Sequence, residues 1–308
     1  MTRAVVLAYH NVGVRCLRAL VDGGVEVSLV LTHEDDPAET IWFDSVARTA
    51  AECGIATIAP VDPNAADIVA RVGACKPDYL FSFYYRSMLK RPLLALPARG
   101  ALNMHGSLLP KYRGRAPVNW AIVHGETETG ATLHYMEEKA DSGDIVAQQA
   151  VPILPDDTAK EVFDKVTAAA ELTLRNVLPA LLAGNAPRIR QEPAAASYYG
   201  GRKPEDGRID WSKRAIAVHN LVRAVAPPYP GAFTVIAGRP ARVLRTRVLD
   251  VEALPASSRS ITVENGELVA RCGDGVALAI LALEIDGAPV SATGFATRYG
   301  VTGVPLDR

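Results

Sequence analysis

The sequence predicts an α/β fold, in which a mostly parallel, Rossmann-like sheet is followed by a small OB-like β-barrel domain. Two observations lead to this prediction. In the first half of the chain, short apolar runs alternate with segments of helical spacing, which is typical of right-handed βαβ units. Beyond residue 209, short β-rich runs are separated by Gly, Pro and Asn turns, which is typical of a barrel. We therefore predict a Rossmann-like domain over residues 1–186, a linker over residues 187–208 and an OB-like β domain over residues 209–308.

The elements of the first domain follow from the apolar runs and from the residues that end them. Two helices are expected over residues 14–22 and 42–53, because apolar residues recur at helical spacing and glycine follows each segment. Thr158 and Glu161 form a capping-box pattern, which predicts a helix from there to about residue 183. The predicted strands cover residues 4–8, 25–32, 55–59, 78–84 and 101–105.

The composition changes after the long helix. Residues 187–197 contain several Pro and Ala residues, which is typical of a linker. Short β-rich runs then follow one another at close spacing, as in small all-β domains. These runs cover residues 232–236, 241–248, 261–263, 268–271 and 276–283.

Composition and charge disfavour several classes of protein. The 308 residues are 49% hydrophobic, and the net charge of −1 provides no field that would attract nucleic acid. The four cysteines (Cys16, Cys53, Cys75 and Cys272) form no CxxC pair and no zinc-like spacing, so we predict reduced thiols and no metal site. The first apolar run is too short for a signal peptide, and no run approaches the roughly 18 residues of a membrane span. We expect a cytoplasmic protein without membrane insertion.

The most informative segment of the sequence covers residues 102–117. It begins as an apolar strand and contains Asn103 and His105, which lie two residues apart and therefore point to the same face. A carboxylate, Asp141, follows in a Ser- and Gly-containing turn. Open parallel sheets bind ligands beyond the carboxyl ends of their strands, and Asn103 and His105 are at such an end.

An amide, an imidazole and a carboxylate are the groups needed to transfer an acyl group to an amine. Asn103 can donate to the oxyanion of a tetrahedral intermediate, and His105 can carry protons near neutral pH. Asp141, if adjacent, favours the protonated imidazole. No GxSxG nucleophile motif is present, which favours direct attack by the amine without a covalent enzyme intermediate. Taken singly, each of the three residues also fits a turn or structural role.

Residues 105–148 resemble the folate-dependent formyltransferases, and the match is position by position from Asn103 through Asp144. The resemblance implies 10-formyltetrahydrofolate as formyl donor, a primary amine as acceptor and no metal. It implies that Asn103 and His105 stabilise the transition state and handle protons, and that Asp141 tunes His105.

The resemblance also implies binding residues on both sides of the reaction. Those expected to contact the folate are Ser87, Met88, Leu89, Arg115, Glu137, Glu138, Lys139, Ala140 and Asp141. For Arg115, a solvated loop cation is the alternative. On the acceptor side the candidates are Tyr9, His10, Asn11, Arg202 and Lys203, because cations suit a diphosphate and the first three follow the first strand. Turn chemistry and a solvated linker face are the alternatives for these five.

Three features favour a nucleotide-linked amino sugar as acceptor. The loop over residues 33–39 has four acidic residues and no Lys or Arg, whereas the related methionyl-tRNA enzymes carry a basic insertion. Residues 199–207 resemble the linker of sugar formyltransferases. Residues 81–86, with residues 8–11, are most similar to the formyltransferase domain of bifunctional enzymes that act on UDP-4-amino-4-deoxy-L-arabinose in lipid A modification and polymyxin resistance. Those enzymes also contain a UDP-glucuronate decarboxylase domain, so a separate decarboxylase domain or protein is an expected partner.

Three alternatives remain open at the level of sequence. They are methionyl-tRNA formyltransferase, formyltetrahydrofolate hydrolase, and a non-catalytic folate- or nucleotide-binding module. We predict structural roles for His134, His124 and His219, which have no partner pattern, and core positions for the three tryptophans. The sequence leaves the oligomeric state and the exact sugar open.

Overall fold

The computed structural model describes residues 1–37, 40–250, 259–300 and 303–306. Two residues of the predicted acidic loop, Ala38 and Glu39, are outside the described residues. The chain divides into two compact units. The first comprises Met1–Pro117, Glu128–Val151 and Asp164–Gly200, and the second comprises Val118–Thr127, Pro152–Phe163 and Gly201–Arg308.

A seven-stranded, mostly parallel sheet forms the centre of the first unit, as predicted. Its strands are β1 (Arg3–Ala8), β2 (Glu26–Leu31), β3 (Thr57–Ile58), β4 (Tyr79–Phe83), β5 (Gly100–His105), β7 (Glu128–Tyr135) and β8 (Ile145–Pro152). Their order is β3-β2-β1-β4-β5-β7-β8, and β7 is antiparallel to β5. Strands β1 and β4 are almost fully buried, which explains why their sequences are continuous apolar runs. A separate two-stranded ladder joins β6 (Arg113–Gly114) to β9 (Tyr198–Tyr199).

Helices connect these strands or follow them, and the side chains of Ser45 and Thr158 cap the starts of two of them. They are α1 (His10–Asp22), α2 (Val46–Glu52), α3 (Ala66–Ala74), α4 (Arg91–Leu94), α5 (Pro117–Val123) and α6 (Ala159–Ala183). Helix α1 begins four residues before its predicted start. Helix α2 begins four residues after its predicted start, because Ser45 Oγ accepts a hydrogen bond from Arg48 N at 3.3 Å and caps it. The capping box of α6 is confirmed: Thr158 N donates to Glu161 Oε2 at 2.6 Å, and Glu161 N to Thr158 Oγ1 at 3.4 Å.

Helix α6 is long and apolar enough, by length and composition alone, to cross a bilayer. Half of its most apolar window is buried inside the fold, and core helices of soluble proteins pass the same test, so this is weak evidence. The helix itself was predicted from its capping box, but no membrane-span candidate was expected there, because acidic and basic residues interrupt its apolar positions. Its fully buried positions recur at helical spacing and include Val162, Val166, Ala170, Leu174 and Leu181.

The second unit contains an antiparallel, barrel-like sheet, as predicted. Its strands are β10 (Ala232–Ile236), β11 (Arg239–Val248), β12 (Ser260–Glu264), β13 (Glu267–Arg271), β14 (Ala277–Ile285), β15 (Ala288–Pro289) and β16 (Val304–Pro305). The main order is β10-β11-β14-β13-β12-β16. Two helices of this unit, α7 (Ala215–Ala224) and α8 (Ala292–Tyr299), were not predicted.

The tryptophans differ in burial. Trp211 is fully buried in the core of the second unit beside Phe295, and its indole N–H donates to Thr234 Oγ1 at 2.9 Å. Trp42 and Trp120 are only partly buried, so the predicted core position is wrong for these two. Both contact a histidine ring instead: Trp42 that of His10, and Trp120 that of His124.

Candidate active site

Two polar side chains stand at the carboxyl end of β5, in the first unit. Leu102 and Met104 are buried in the apolar interior, whereas Asn103 and His105 share the opposite face of the strand. Asn103 is partly buried, and His105 is 6% exposed. This strand therefore delivers an amide and an imidazole to one edge of the sheet.

The turn after β7 brings a carboxylate to the same place. Asp141 has a φ of +53°, a left-handed conformation that aspartate tolerates better than most residues. Its Oδ1 is 3.6 Å from His105 Nδ1 and 3.5 Å from Asn103 Nδ2, and its Oδ2 accepts from Gly114 N at 2.8 Å. The structure thus brings the three predicted catalytic residues into one cluster.

The orientation of the His105 ring follows from its other nitrogen. Nε2 is 2.8 Å from the carbonyl oxygen of Tyr112, and because a carbonyl only accepts, we assign a proton to Nε2. Nδ1 then faces the Asp141 carboxylate, which favours a second proton at Nδ1. His105 is therefore arranged to carry a positive charge beside a fixed carboxylate.

The Asp141 carboxylate is held in its ionised form. Burial raises its pKa, but the neighbouring imidazoles of His105 and His134 and the backbone N–H of Gly114 together outweigh burial. The result is a pKa of Asp141 well below its usual range. The group can thus act as a permanent counter-charge rather than as a proton donor.

Hydroxyl and amide side chains fix the loop after β5. Ser107 Oγ donates to the carbonyl of Lys111 at 2.7 Å, and Thr132 Oγ1 donates to the carbonyl of Ser107 at 2.6 Å. Gln148 Nε2 donates to Thr132 Oγ1 at 2.9 Å. These bonds curl the loop so that the Tyr112 carbonyl reaches His105.

Gln191 fixes the Asp141 turn from the segment that was predicted as a linker. It is 5% exposed, and its Nε2 donates to the carbonyls of Asp141 at 2.9 Å and Gly143 at 2.7 Å. Its Oε1 accepts from Arg113 Nε at 3.1 Å and Nη2 at 2.7 Å. Sequence reasoning missed Gln191, because about 50 residues separate it from the turn and no local pattern marks it.

His134 is a second histidine of the cluster that the sequence did not reveal. It lies on β7 directly opposite Asn103, and it is 1% exposed. Its Nε2 is 3.2 Å from Asn103 Nδ2 and 3.4 Å from Asp141 Oδ1. The antiparallel pairing of β5 with β7 places it there, and that register cannot be derived from the spacing of single residues.

The first group of predicted folate contacts, Ser87 to Leu89, lies between β4 and α4. Met88 is 58% exposed, whereas the Leu89 side chain packs in the core and leaves only its backbone for a ligand. Asn64 holds this loop: its Nδ2 donates to the Met88 carbonyl at 3.0 Å, and its Oδ1 accepts from Lys90 N at 2.8 Å. Asn64 was not anticipated from the sequence.

The other predicted folate contacts lie beside the catalytic cluster in the chain. Residues Glu137, Glu138 and Lys139 are exposed and Ala140 is partly buried, in the coil between β7 and Asp141. The Arg115 side chain is exposed, and its backbone N donates to the Tyr199 carbonyl at 2.9 Å. All of these residues belong to the first unit.

The candidates for the acceptor side fall into two groups. Tyr9, His10 and Asn11 are at the junction of β1 and α1 in the first unit. Tyr9 Oη donates to Asp35 Oδ1 at 2.7 Å, and Asn11 Oδ1 accepts from Asp44 N at 2.8 Å. The side-chain oxygens of Tyr9 and Asn11 therefore already have hydrogen-bond partners within the first unit.

Arg202 and Lys203 belong to the second unit. The Arg202 guanidinium lies 4.7 Å from the centre of the Trp120 ring and donates to the Asp206 carbonyl at 2.9 Å. Lys203 N donates to Asp206 Oδ2 at 2.7 Å, and its side chain is exposed. Burial lowers the pKa of Arg202.

A separate cavity of about 450 Å³ opens at the β2–β3 side of the first unit. It contains none of the three residues Asn103, His105 and Asp141. Its lining combines aromatic, acidic and small side chains and includes Tyr9, Thr32, His33, Glu34, Asp35, Phe43 and Asp44. Among the described residues, no group of three or more His, Cys, Asp or Glu side chains is arranged to hold a metal ion.

Solved structures with the same fold include several transferases. An N-formyltransferase from Helicobacter canadensis, in complex with folinic acid and dTDP-3-aminofucose, has a TM-score of 0.71 at 18% identity and covers 91% of this chain and 99% of that chain. A sugar N-formyltransferase from Shewanella sp FDAARGOS_354 has a TM-score of 0.59 at 20% identity and covers 76% of this chain and 92% of that chain. HypX from Aquifex aeolicus, in complex with tetrahydrofolic acid, has a TM-score of 0.64 at 18% identity and covers 99% of this chain and 48% of that chain. At these identities the likeness establishes the fold alone.

Family models cover most of the chain. The model described as formyl transferase matches residues 3–178, and the model described as formyl transferase, C-terminal domain, matches residues 202–300. The first match alone spans more than half of the chain and contains Asn103, His105 and Asp141. The chain belongs to the formyl transferase family.

Proposed function

We propose that the protein transfers a formyl group from 10-formyltetrahydrofolate to the amine of a nucleotide-linked amino sugar. The observation that carries the proposal is the cluster at the carboxyl end of β5, in which Asn103 and His105 both lie within 3.6 Å of the Asp141 carboxylate. Folate-bound and sugar-bound relatives of the same fold support the substrate classes, and family membership supports the group that is transferred.

The cluster provides what the transfer requires. The acceptor amine attacks the formyl carbon, a C–N bond forms, and the formyl oxygen becomes an oxyanion. Asn103 offers a neutral N–H donor to that oxygen, and the His105 imidazolium stabilises the same charge. When the intermediate collapses, the bond from the formyl carbon to N10 breaks, the amine loses a proton and N10 gains one. Asp141 keeps His105 charged and oriented throughout.

The proposed acceptor is UDP-4-amino-4-deoxy-L-arabinose, which would place the protein in lipid A modification and in the cytoplasm. The described part of the loop after β2 supports a sugar over a tRNA, because Glu34, Asp35 and Asp36 are exposed and would repel phosphates. Arg202 and Lys203 are the proposed contacts to the diphosphate. A separate decarboxylase domain or protein would supply the sugar precursor.

A formyl-transfer assay tests the proposal. Purified protein and 10-formyltetrahydrofolate are offered UDP-4-amino-4-deoxy-L-arabinose, other UDP- and dTDP-linked amino sugars, and methionyl-tRNA. Formylation of the arabinose sugar alone would support both the reaction and the pathway. Formylation of another sugar keeps the reaction and overturns the arabinose assignment. Formylation of the tRNA, or formate release without acceptor modification, overturns the sugar proposal.

The same assay tests the assigned residues. We expect His105→Ala and Asp141→Ala each to lower kcat by about 10²–10⁴-fold, because the first removes the imidazolium that stabilises the oxyanion and the second removes the carboxylate that keeps this imidazolium charged and oriented. The exposed histidine His124, in the second unit, provides a matched control as His124→Ala. A circular dichroism spectrum and melting temperature close to those of the unaltered protein confirm folding, and near-normal turnover in either variant refutes the assignment.

A further inference from the structure

We propose that His134 is a positioning residue that accepts a hydrogen bond from Asn103, orients its amide and keeps the proton of the cluster on His105. The inference rests on the proposed function for its kinetic consequences, but its structural content concerns only this chain. His134 is buried, and the proposed formyl transfer gives it no other role.

The backbone fixes which nitrogen of His134 faces the cluster. Nδ1 is 2.7 Å from the carbonyl oxygen of Tyr135, and a carbonyl only accepts, so Nδ1 carries a proton. Nε2 is the remaining nitrogen, 3.2 Å from Asn103 Nδ2 and 3.4 Å from Asp141 Oδ1. Because the ring is 1% exposed, water cannot readily substitute for these partners.

Two imidazoles thus face the same carboxylate oxygen in the same manner. His105 Nδ1 is 3.6 Å and His134 Nε2 is 3.4 Å from Asp141 Oδ1, and the other nitrogen of each ring is held by a backbone carbonyl. If both rings were neutral, two lone pairs would face a carboxylate. If both were charged, the Nε2–H of His134 would face the amino group of Asn103.

A single proton, placed on His105, gives the most favourable set of contacts, because only one lone pair, that of His134 Nε2, then faces the carboxylate, at 3.4 Å. Asn103 Nδ2 then donates to the bare Nε2 of His134, while His105 Nδ1–H donates toward Asp141. The titratable groups that face His134 are Asp141, from the turn after β7, and His105, from β5. Strand β8, the other neighbour of β7, contains only the residues Ile, Val, Ala, Gln and Pro and contributes no charge.

The consequence for the reaction is a fixed amide. With one N–H of Asn103 committed to His134, its second N–H lies on the Asp141 side of the amide, where the contact to Oδ1 is long, at 3.5 Å, and leaves this donor for the oxyanion. A donor that is oriented before the reaction stabilises an oxyanion without reorganisation at the transition state. His134 acts through Asn103 and His105 and does not itself contact the reacting atoms in this scheme.

Nuclear magnetic resonance of the protein without substrates tests the protonation pattern. In protein labelled with ¹⁵N-histidine, long-range ¹H–¹⁵N spectra at pH 7 distinguish bare from protonated ring nitrogens, and His134→Gln and His105→Gln assign the signals. We expect His134 to have a protonated Nδ1 and a bare Nε2, and His105 to have two protonated nitrogens. A doubly protonated His134 beside a neutral His105 overturns the proposal.

Kinetics test the positioning role. His134→Phe removes the acceptor, so we expect kcat to fall about 10- to 100-fold with KM for both substrates unchanged. His134→Gln retains an acceptor oxygen near the Nε2 position, so we expect part of the rate to return. His124→Gln is the control, since that histidine is exposed and belongs to the second unit.

The outcomes separate the two proposals. If His134→Phe is folded and retains full kcat, or if His134→Gln loses as much rate as His134→Phe, His134 has no role as an acceptor. A failure of the proposed function has a different signature. The unaltered protein would then formylate no amino sugar, while the magnetic resonance spectra would still report where the proton is.

Discussion

At the scale of single residues, one carboxylate organises the site. Asp141 accepts from a backbone N–H with one oxygen and faces two imidazoles and an amide with the other. Its own backbone is in a left-handed conformation, which has a cost that neighbouring contacts must offset. Gln191 supplies such contacts, because it donates to two carbonyls of the turn while Arg113 holds its oxygen.

Gln191→Glu is a sharp test of this arrangement. The new carboxylate can still pair with Arg113, but it would donate no hydrogen bond and would repel the carbonyls of Asp141 and Gly143. We expect kcat to fall about tenfold or more and the free energy of unfolding to fall by about 1–3 kcal/mol. Steady-state kinetics and urea denaturation measure both quantities.

The control for this variant is Gln149→Glu, which makes the same chemical change at an exposed position of β8. It should leave kcat and the urea midpoint within error of the unaltered protein. Equal behaviour of Gln191→Glu and Gln149→Glu would show that the buried amide does not hold the Asp141 turn.

At the scale of elements, the connection from β7 to β8 determines where Asp141 stands. Tyr135, the last residue of β7, donates its backbone N–H to the Asp144 carbonyl at 2.9 Å, which closes the turn. Gly143 lies directly against the carbonyl of Tyr135, and a methyl group at that position would overlap this oxygen. The turn therefore requires glycine for close approach of two backbone segments rather than for a special φ angle.

Gly143→Ala should consequently shift the Asp141 turn. The neighbour is backbone, which cannot rotate away, so we expect a loss of about 1–3 kcal/mol in the free energy of unfolding. A fall in kcat should accompany it, because Asp141 moves away from His105. Chemical denaturation and the formyl-transfer assay measure the two effects.

Gly200→Ala is the matched control, since a methyl group there meets no atom within 4 Å and its φ is not in the left-handed region. It should change neither stability nor turnover by more than the error of measurement. A Gly143→Ala protein that behaves like Gly200→Ala would contradict the close-packing argument.

At the scale of the whole molecule, each unit has an apolar core of its own. In the first unit one core cluster lines the sheet through residues such as Leu7 and Leu80, and in the second it surrounds Trp211 and Phe295. The second core also buries a histidine. His219 is 2% exposed, and its nitrogens contact Thr246 Oγ1 and the Pro155 carbonyl, each at 2.9 Å.

This histidine makes stability depend on pH. Burial lowers the pKa of His219, and the nearby Arg223 lowers it further, although the Pro155 carbonyl and Asp156 oppose the shift. The unfolded chain therefore binds a proton at His219, near pH 6.5, before the folded chain does. The contribution of neutral His219 to the free energy of unfolding is fully present above about pH 6.5. It is lost as the pH falls from there toward the lower pKa of His219 in the folded state.

We expect the melting temperature of the full chain to be lower at pH 5.5 than at pH 7.5, and His219→Gln to reduce this difference. Glutamine keeps polar contacts but cannot titrate. His124→Gln, at an exposed histidine, should retain the full difference. If His219→Gln and His124→Gln lose the same amount of stability on acidification, His219 is not the group responsible.

Local features of this protein can be predicted from neighbouring residues in the sequence. The apolar runs located most strands of both units to within a few residues, although β7 and β8 were not predicted. The capping box located the start of α6, because these signals depend on neighbours along the chain. The pair of Asn103 and His105 on one face of a strand is a feature of the same kind, and together with Asp141 and the motif around them it predicted the type of chemistry.

Which distant residues complete the site depends on the packing of the folded chain. His134 lies 31 residues from Asn103 in the sequence, and Gln191 lies about 50 residues from Asp141. No local sequence pattern near His134 or Gln191 predicts either contact. The antiparallel pairing of β7 with β5 places His134 opposite Asn103, and a shift by one residue would turn it to the other face. Strand order and register arise from the packing of the whole sheet, and so a site assembled from several strands exists only once the sheet is formed.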